Sequence, residues 1–302
     1  PELGEVWAHL SKRPILDSVA LVAQGLSHKG KSLPNGCWTV RDKSSTAGVL
    51  GFANVDSALN IFGLPKLVKL NLEPRAVLSY RNGRPTGQPQ VLLNYARVAR
   101  EPWKLKATLD DRGHALTSRF SALRPKPDGP SVLFLWAIMN SPVANAFAYC
   151  HLAGRDILVG TMRTMPFPMR WYAHAASIEQ AALRYRQLAT SEGPLFDGLT
   201  TPDSLKQALL AMDAAVLRAY DLPPRLERQL LDLFVEVERK GVGCDFRGYY
   251  PPGFTSYLPL HMLISDRFQR AAADTTADRF KPGESAYVRD VLSVAAAGAR
   301  EK

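Results

Sequence analysis

Apolar positions along the chain change their period near residue 170, from short β-prone runs to helical spacing. Before that point such runs occupy Ile15 to Gln24, Ala76 to Tyr80, Val91 to Ala99, Trp103 to Leu109 and Ala115 to Leu123. Glycine, proline and polar clusters separate them. Arg81-Asn82-Gly83-Arg84-Pro85-Thr86-Gly87 is a strong turn signal, and Asp110-Asp111-Arg112-Gly113 reads as a hairpin turn. Short strands with turns near every tenth residue predict a mixed or antiparallel sheet. A pair of helices follows the proline-rich connector Arg124 to Pro130. The apolar run around Val132 to Met139 has the length of a core helix, and Asn140-Ser141-Pro142 ends it. Ser141 can cap a second helix with its hydroxyl, and Pro142 suits the first helical position, where a missing N–H loses no bond. Thr161 to Pro168 then reads as a short β-prone stretch closing on Pro166-Phe167-Pro168.

After Pro168 the spacing is helical. Ile178, Ala182, Tyr185 and Leu188 share one face; Thr201 can cap a helix opened by Pro202, with Leu205, Leu209, Met212 and Val216 inward. Leu226, Leu230, Leu233 and Val237 repeat the pattern between Pro223-Pro224 and Gly241. Phe246 to Tyr257 is irregular and rich in aromatics and proline, and a last short helix is expected over Ala286 to Ala297. The predicted class is α/β (α+β): residues 1–170 as a sheet domain with a helical pair, and residues 171–302 as a helical subdomain with an irregular tail.

Composition bounds this picture. A chain of 302 residues with 46% hydrophobic content can bury a substantial core. Cys37, Cys150 and Cys244 lie far apart without ligand spacing, which points to a reducing, cytoplasmic setting rather than to disulfides or zinc. No apolar run reaches membrane-spanning length and no signal pattern follows Pro1, so no membrane partner is expected. The net charge of +10 is one-sided. Residues 1–170 carry 22 Lys and Arg against 11 Asp and Glu, whereas residues 171–302 carry 16 against 17. A basic excess confined to the sheet half suits binding to a phosphate backbone.

The stretch from Leu133 through Asn140-Ser141-Pro142 and Gly154 to Pro166-Phe167-Pro168 resembles the target-recognition domains joined to gamma-class adenine-N6 DNA methyltransferases, including type IIG-like restriction-modification enzymes, and those of type I specificity subunits. The resemblance covers about Ile15 to Pro168. Gln24-Gly25-Leu26 leading into a basic loop is similar to the start of many such domains, and Asp213 to Phe234 resembles the helical tail of long single-chain methylases. Type I subunits hold two such domains separated by long helices; only one is recognisable here. The resemblance implies double-stranded DNA as partner, with a methyltransferase domain, N-terminal in cis or on a separate subunit, doing the chemistry.

Catalytic motifs of that class are missing from the chain. There is no FxGxG loop for S-adenosylmethionine and no Asn/Asp-Pro-Pro-aromatic loop for a target amine; Pro-Pro follows Leu222 and Tyr250 instead. The chain is therefore expected to hold no cofactor, S-adenosylmethionine belonging to the absent catalytic domain. Asp42-Lys43 and Asp110-Asp111 are the nearest approach to a nuclease metal site, and the six histidines are mutually remote. Candidate DNA contacts are Lys29, Lys31 and Ser32 on the first basic loop and Arg81, Asn82, Arg84 and Gln88 on the second. Arg97, Arg100, Lys104 and Lys106 are expected to make one sheet face basic, and Arg155 and Arg163 flank the closing stretch. The two basic loops are expected on one surface. A protein-interaction module of a larger complex and a standalone nuclease are the alternative readings.

Overall fold

The computed structural model describes residues 3–29, 48–55, 61–190 and 201–273. Its elements run α1 (Gly4–Leu10), α2 (Leu16–Val19), β1 (Ala20–Gln24), β2 (Ser27–His28), β3 (Val49–Phe52), β4 (Leu67–Leu70), β5 (Val77–Ser79), β6 (Gln90–Asn94), β7 (Ala107–Asp110), β8 (Ala115–Leu116) and β9 (Phe120–Pro125). The remaining helices are α3 (Val132–Met139), α4 (Pro142–His151), α5 (Val159–Arg163), α6 (Trp171–Thr190), α7 (Pro202–Tyr220), α8 (Pro224–Asp232), α9 (Leu260–Leu263) and α10 (Asp266–Ala273).

An antiparallel sheet in the order β1-β9-β6-β7 forms the frame. Its side chains alternate between two cores, as the two-residue period of a strand requires. Val91, Leu93 and Leu123 enter the main core, while Leu92, Ala122 and Phe120 join Phe52 and Leu116 on the opposite face. That opposite face is covered by a mixed sheet ordered β4-β3-β8, in which β3 and β8 run parallel. The fold is thus α/β with mixed and antiparallel sheets, as the alternating runs predict. The main core extends from Leu3 through α3, α6 and α7 to Leu263.

Helix α3 is apolar all round because it is buried on all sides, between the sheet and α6 and α7. Ser131 and Ser141 cap α3 and α4, accepting the amides of Phe134 and Ala144. The asparagines of this pair have a separate task. Strand β7 is an edge strand, and its buried backbone groups need partners. Asn140 supplies both: its Oδ1 accepts the Ala107 amide at 3.1 Å and its Nδ2 donates to the Ala107 carbonyl at 3.0 Å. Asn145 accepts the Leu105 amide at 2.8 Å, and Asn94, on the neighbouring strand, accepts the Lys106 amide at 2.7 Å. The helical pair is therefore sutured to the sheet edge by side-chain amides. No helix among the described residues is long and apolar enough to cross a membrane; α3 and α4, which approach that length together, bend by 57°.

Several local readings are corrected. The first half of the expected Ile15–Gln24 strand is the single turn α2, held by the Leu16 amide on the Met165 carbonyl. The Ala115–Leu123 run breaks into β8 and β9, which belong to different sheets, so Asp110 to Gly113 is a turn between sheets rather than a hairpin tip. Asp110 still supplies the turn chemistry, accepting the amides of Arg112 and His114. The stretch before Pro166 is helical as α5, and α8 stops at Asp232, five residues short of Val237. Helices α6 and α7 match their apolar faces, with Thr201 and Ser204 forming a reciprocal cap. The helix expected over Ala286 to Ala297 lies outside the described residues.

Candidate nucleic-acid interface

The turn after β5 folds back on β1. The Asn82 amide donates to the Gln24 carbonyl at 3.3 Å, and Gly83 lies so close to Leu26 that a Cβ there would collide with the Leu26 backbone. A buried polar relay fixes the same turn from beneath. Asp110 accepts from Gln90 Nε2 at 2.8 Å, Gln90 Oε1 accepts from Arg124 at 2.9 and 2.8 Å, and Arg124 Nη2 donates to the Asn82 carbonyl at 2.9 Å. Burial lowers the Arg124 pKa and Asp110 opposes the shift. The Asn82 side-chain amide makes no hydrogen bond among the described residues, and Asn82 lines a concavity of about 430 Å³ with Gln24, Arg81, Tyr95 and Arg163.

A second concavity, about 470 Å³, shares Tyr95 with the first and is lined by Asn54, Arg97, Arg119, Arg155 and Asp156. The segment after β6 places Tyr95 on both. The Tyr95 amide donates to the Arg119 carbonyl at 3.0 Å and the Tyr95 carbonyl accepts from Ile157 at 2.6 Å. Ala96 bridges Asp156, and the Arg97 amide donates to the Arg155 carbonyl at 2.9 Å. Three chain segments laid side by side thus bring Arg97, Arg119 and Arg155 to one wall. The joint furrow carries five arginines and one carboxylate, Asp156. Arg163 is partly engaged, donating to the Val22 carbonyl at 2.9 Å and lying 3.7 Å from Asp17. Arg97 donates to the Gly154 carbonyl at 3.3 Å, which orients it without neutralising it. Arg81, Arg97, Arg119 and Arg155 form no ion pair among the described residues.

The sequence candidates divide accordingly. Arg81, Asn82, Arg97, Arg155 and Arg163 meet in the furrow. Arg84 stands over the Tyr80 ring at 4.0 Å, and Gln88 and Arg100 are exposed outside the furrow lining. Lys104 and Lys106 do not contribute a basic sheet face: they are 4% and 5% exposed, because Asn94, Asn140 and Asn145 draw their segment into the core. Lys104 lies over the Tyr149 ring at 5.1 Å, and its pKa is lowered by burial first and by Arg97 second. Lys31 and Ser32 lie outside the described residues. The two basic loops share one ladder, since β2 pairs with β5, but Lys29 stands at its far end, with its amide on Ala76 and its Nζ on the Pro74 carbonyl at 3.1 Å. At ~3.3 Å per extended residue that is roughly 15 Å from Arg81. Beside it, burial holds the His28 pKa below its usual value.

Sequence reasoning missed Arg119, Tyr95 and Gln24 as furrow residues. The signal for Arg119 was the polar Thr117-Ser118-Arg119 inside an otherwise apolar run, which marks the break between β8 and β9. Among the described residues no three His, Cys, Asp or Glu side chains are grouped to hold a metal ion.

No protein-family model matches the chain, and no curated protein matches it. Among solved structures, similarity is found to the type IIL restriction-modification enzyme MmeI in complex with DNA, at 15% identity and a TM-score of 0.31 over 49% of this chain and 21% of that one. It is also found to the HsdS subunit from Thermoanaerobacter tengcongensis, at 16% identity and a TM-score of 0.33 over 67% of this chain and 44% of that one. The chain thus spans about a fifth of the first and under half of the second.

Proposed function

We propose that this chain recognises a specific sequence in double-stranded DNA and is the specificity portion of a restriction-modification enzyme of the adenine-N6 methyltransferase type. The observation that carries this reading is the furrow: Asn82, whose side-chain amide makes no hydrogen bond among the described residues, lines it beside Arg81, and Arg97, Arg119 and Arg155, which form no ion pair among the described residues, line the adjoining concavity beyond Tyr95. Guanidinium groups without carboxylate partners suit phosphate oxygens, while a free side-chain amide can pair with the N6 and N7 edge of adenine. The division is one of labour: Arg97, Arg119 and Arg155 fix the backbone and so the register, and Asn82 with Arg81 reads bases. Gly83 and the Asp110–Gln90–Arg124 relay keep the reading turn rigid, so that a wrong base cannot be accommodated by loop movement. The charge excess of residues 1–170 and the resemblance around Asn140-Ser141-Pro142 support the same reading. Methyl transfer would fall to a separate domain that flips the adenine out of the stack and holds S-adenosylmethionine.

Duplex binding by the purified chain, followed by fluorescence anisotropy against salt, tests the proposal. Affinity should fall linearly on a log–log plot, with a slope near −0.9 per phosphate contact and hence about −3 to −4 in total. Selection from a random duplex pool should enrich one motif. Absence of duplex binding at low salt would overturn the reading.

A further inference from the structure

A second basic concavity shares no lining residue with the furrow. It measures about 590 Å³ and lies where α1 and its following turn meet the start of α6 and the end of α7. Lys12, Arg13, Arg170 and Arg218 face it together with His9 and His174, against a single carboxylate, Asp221. None of the four permanent cations forms an ion pair among the described residues. Elsewhere in the molecule Arg186, Arg225, Arg228 and Arg247 each meet a carboxylate. Arg13 is oriented by donating to the Asp221 carbonyl at 3.3 Å, which leaves its charge unspent.

The field inside the concavity is visible at His9, whose pKa is held below its usual value by burial first and by Arg13 second. Helix α6 adds to that field, since its N-terminal end at Trp171 follows Arg170 directly. The opposing end of α7 contributes little, because the Leu217 and Arg218 carbonyls are already capped by the Asp221 amide. Four permanent cations against one carboxylate repel one another, and an anionic ligand relieves that repulsion. Three guanidinium forks match the oxygens of a phosphate better than a point charge does, and the volume is that of an ordinary ligand pocket.

We propose that this concavity is a phosphate-binding site, with Arg13, Arg170 and Arg218 holding the phosphate oxygens and Lys12 supplying further charge. The phosphate is that of a free phosphorylated molecule or of a nucleic-acid backbone; the recognising chemistry is the same. The proposal does not depend on the function assigned to the furrow.

Calorimetric titration of the whole chain with inorganic pyrophosphate, at low salt, tests it. Arg170 and Arg218 are exposed, so R170E/R218E should fold as the parent does, which a thermal melt checks. Pyrophosphate should bind the parent and an R100E/R112E control, altered at two exposed cations that line neither concavity, alike, and should bind R170E/R218E at least tenfold more weakly. No binding to the parent at millimolar pyrophosphate overturns the proposal, as does equal binding to R170E/R218E, or oligo-glutamate binding as tightly as pyrophosphate. Measuring a short duplex on the same variants separates the sources. If R170E/R218E also weakens duplex binding, the phosphate belongs to the nucleic-acid backbone; if duplex affinity is unchanged, it belongs to a free molecule.

Discussion

Arg239 and Arg119 show how differently the two halves of this molecule use a guanidinium. Arg239 is 3% exposed and fully engaged: it pairs with Asp213, donates to the Asn140 carbonyl, and lies 4.2 Å from the Trp103 ring centre. Asp213 also accepts from Tyr249 at 2.9 Å. Arg119 is exposed on the furrow wall with no ion-pair partner among the described residues. The contrast extends beyond these two. In the helical half Arg225, Arg228, Lys240 and Arg247 are each matched to a carboxylate, whereas the furrow arginines Arg81, Arg97 and Arg155 are matched to none among the described residues. Sequence charge counts point the same way, but only the structure separates cations held in ion pairs from cations that form none among the described residues.

The sharpest way to break the comparison is to remove one buried partner. Arg239→Met should destabilise the fold by about 3–5 kcal/mol, because it leaves Asp213 buried and unpaired. Burial already raises the Asp213 pKa against the pull of Arg239, so without the cation its carboxyl should take up a proton. Adding Asp213→Asn should recover part of the loss. Arg119→Ala should stay within about 0.5 kcal/mol of the parent by urea denaturation. Equal losses at the two positions would erase the distinction.

Glu227 sharpens it from another side. It is a carboxyl of the helical half with no ion pair among the described residues, accepting the Leu260 amide at 2.6 Å, and burial pushes its pKa up to about 7. A raised carboxyl pKa means that the folded state holds a proton which the unfolded chain has released. Stability contributed by this group is therefore full below pH ~4.5 and falls as pH rises to about 7, by roughly 3 kcal/mol. Glu227→Gln keeps the acceptor and removes the titration, so its stability should be flat across that window relative to the parent. A parent curve that rises with pH there, with no difference from the variant, would contradict the assignment.

On the furrow side the effect should appear in binding alone. Arg97→Ala, Arg119→Ala and Arg155→Ala should each weaken duplex affinity for all sequences about equally and reduce the salt slope by about 1, without shifting the melt. Asn82→Ala should instead relax preference at one base position, at about 1–3 kcal/mol.

How much of this was legible beforehand follows from where local and tertiary forces agree. The α3–α4 pair could be read because an all-apolar helix, a serine cap and a first-position proline each act within a few residues. The α7 start could be read from Thr201 and Pro202 for the same reason. Ile15 to Val19 misled because its β-branched residues are overruled by a backbone bond to Met165, a partner far off in sequence. Lys104 and Lys106 misled in the same manner: only the amides of Asn94, Asn145 and Asn140, which capture the backbone of residues 104–107, reveal that the segment is inside. Arg119 went unread because its neighbours in the furrow, Tyr95 and Arg155, reach it through backbone bonds that no spacing announces. Charge asymmetry pointed to the half that holds the furrow; which arginines line it needed the fold.

The smallest expected effect separates two residues of a single turn. Arg81 and Arg84 are both exposed, three positions apart, and by residue type either could meet DNA. Arg81 adopts a left-handed backbone, with φ of 40°, and lines the furrow beside Asn82. Arg84 instead lies against Tyr80, whose hydroxyl donates to the Leu72 carbonyl at 2.6 Å, so that its cation braces the turn from outside. An exposed cation–π contact of this kind contributes about 0.5–1 kcal/mol. Arg84→Ala should therefore lower stability by no more than that and leave duplex affinity within about twofold. Arg81→Ala should weaken duplex binding severalfold with stability unchanged. A tenfold loss of affinity in Arg84→Ala, matching or exceeding that of Arg81→Ala, would mean that the tip of the turn enters the DNA groove and that the arginine furrow is not the contact surface.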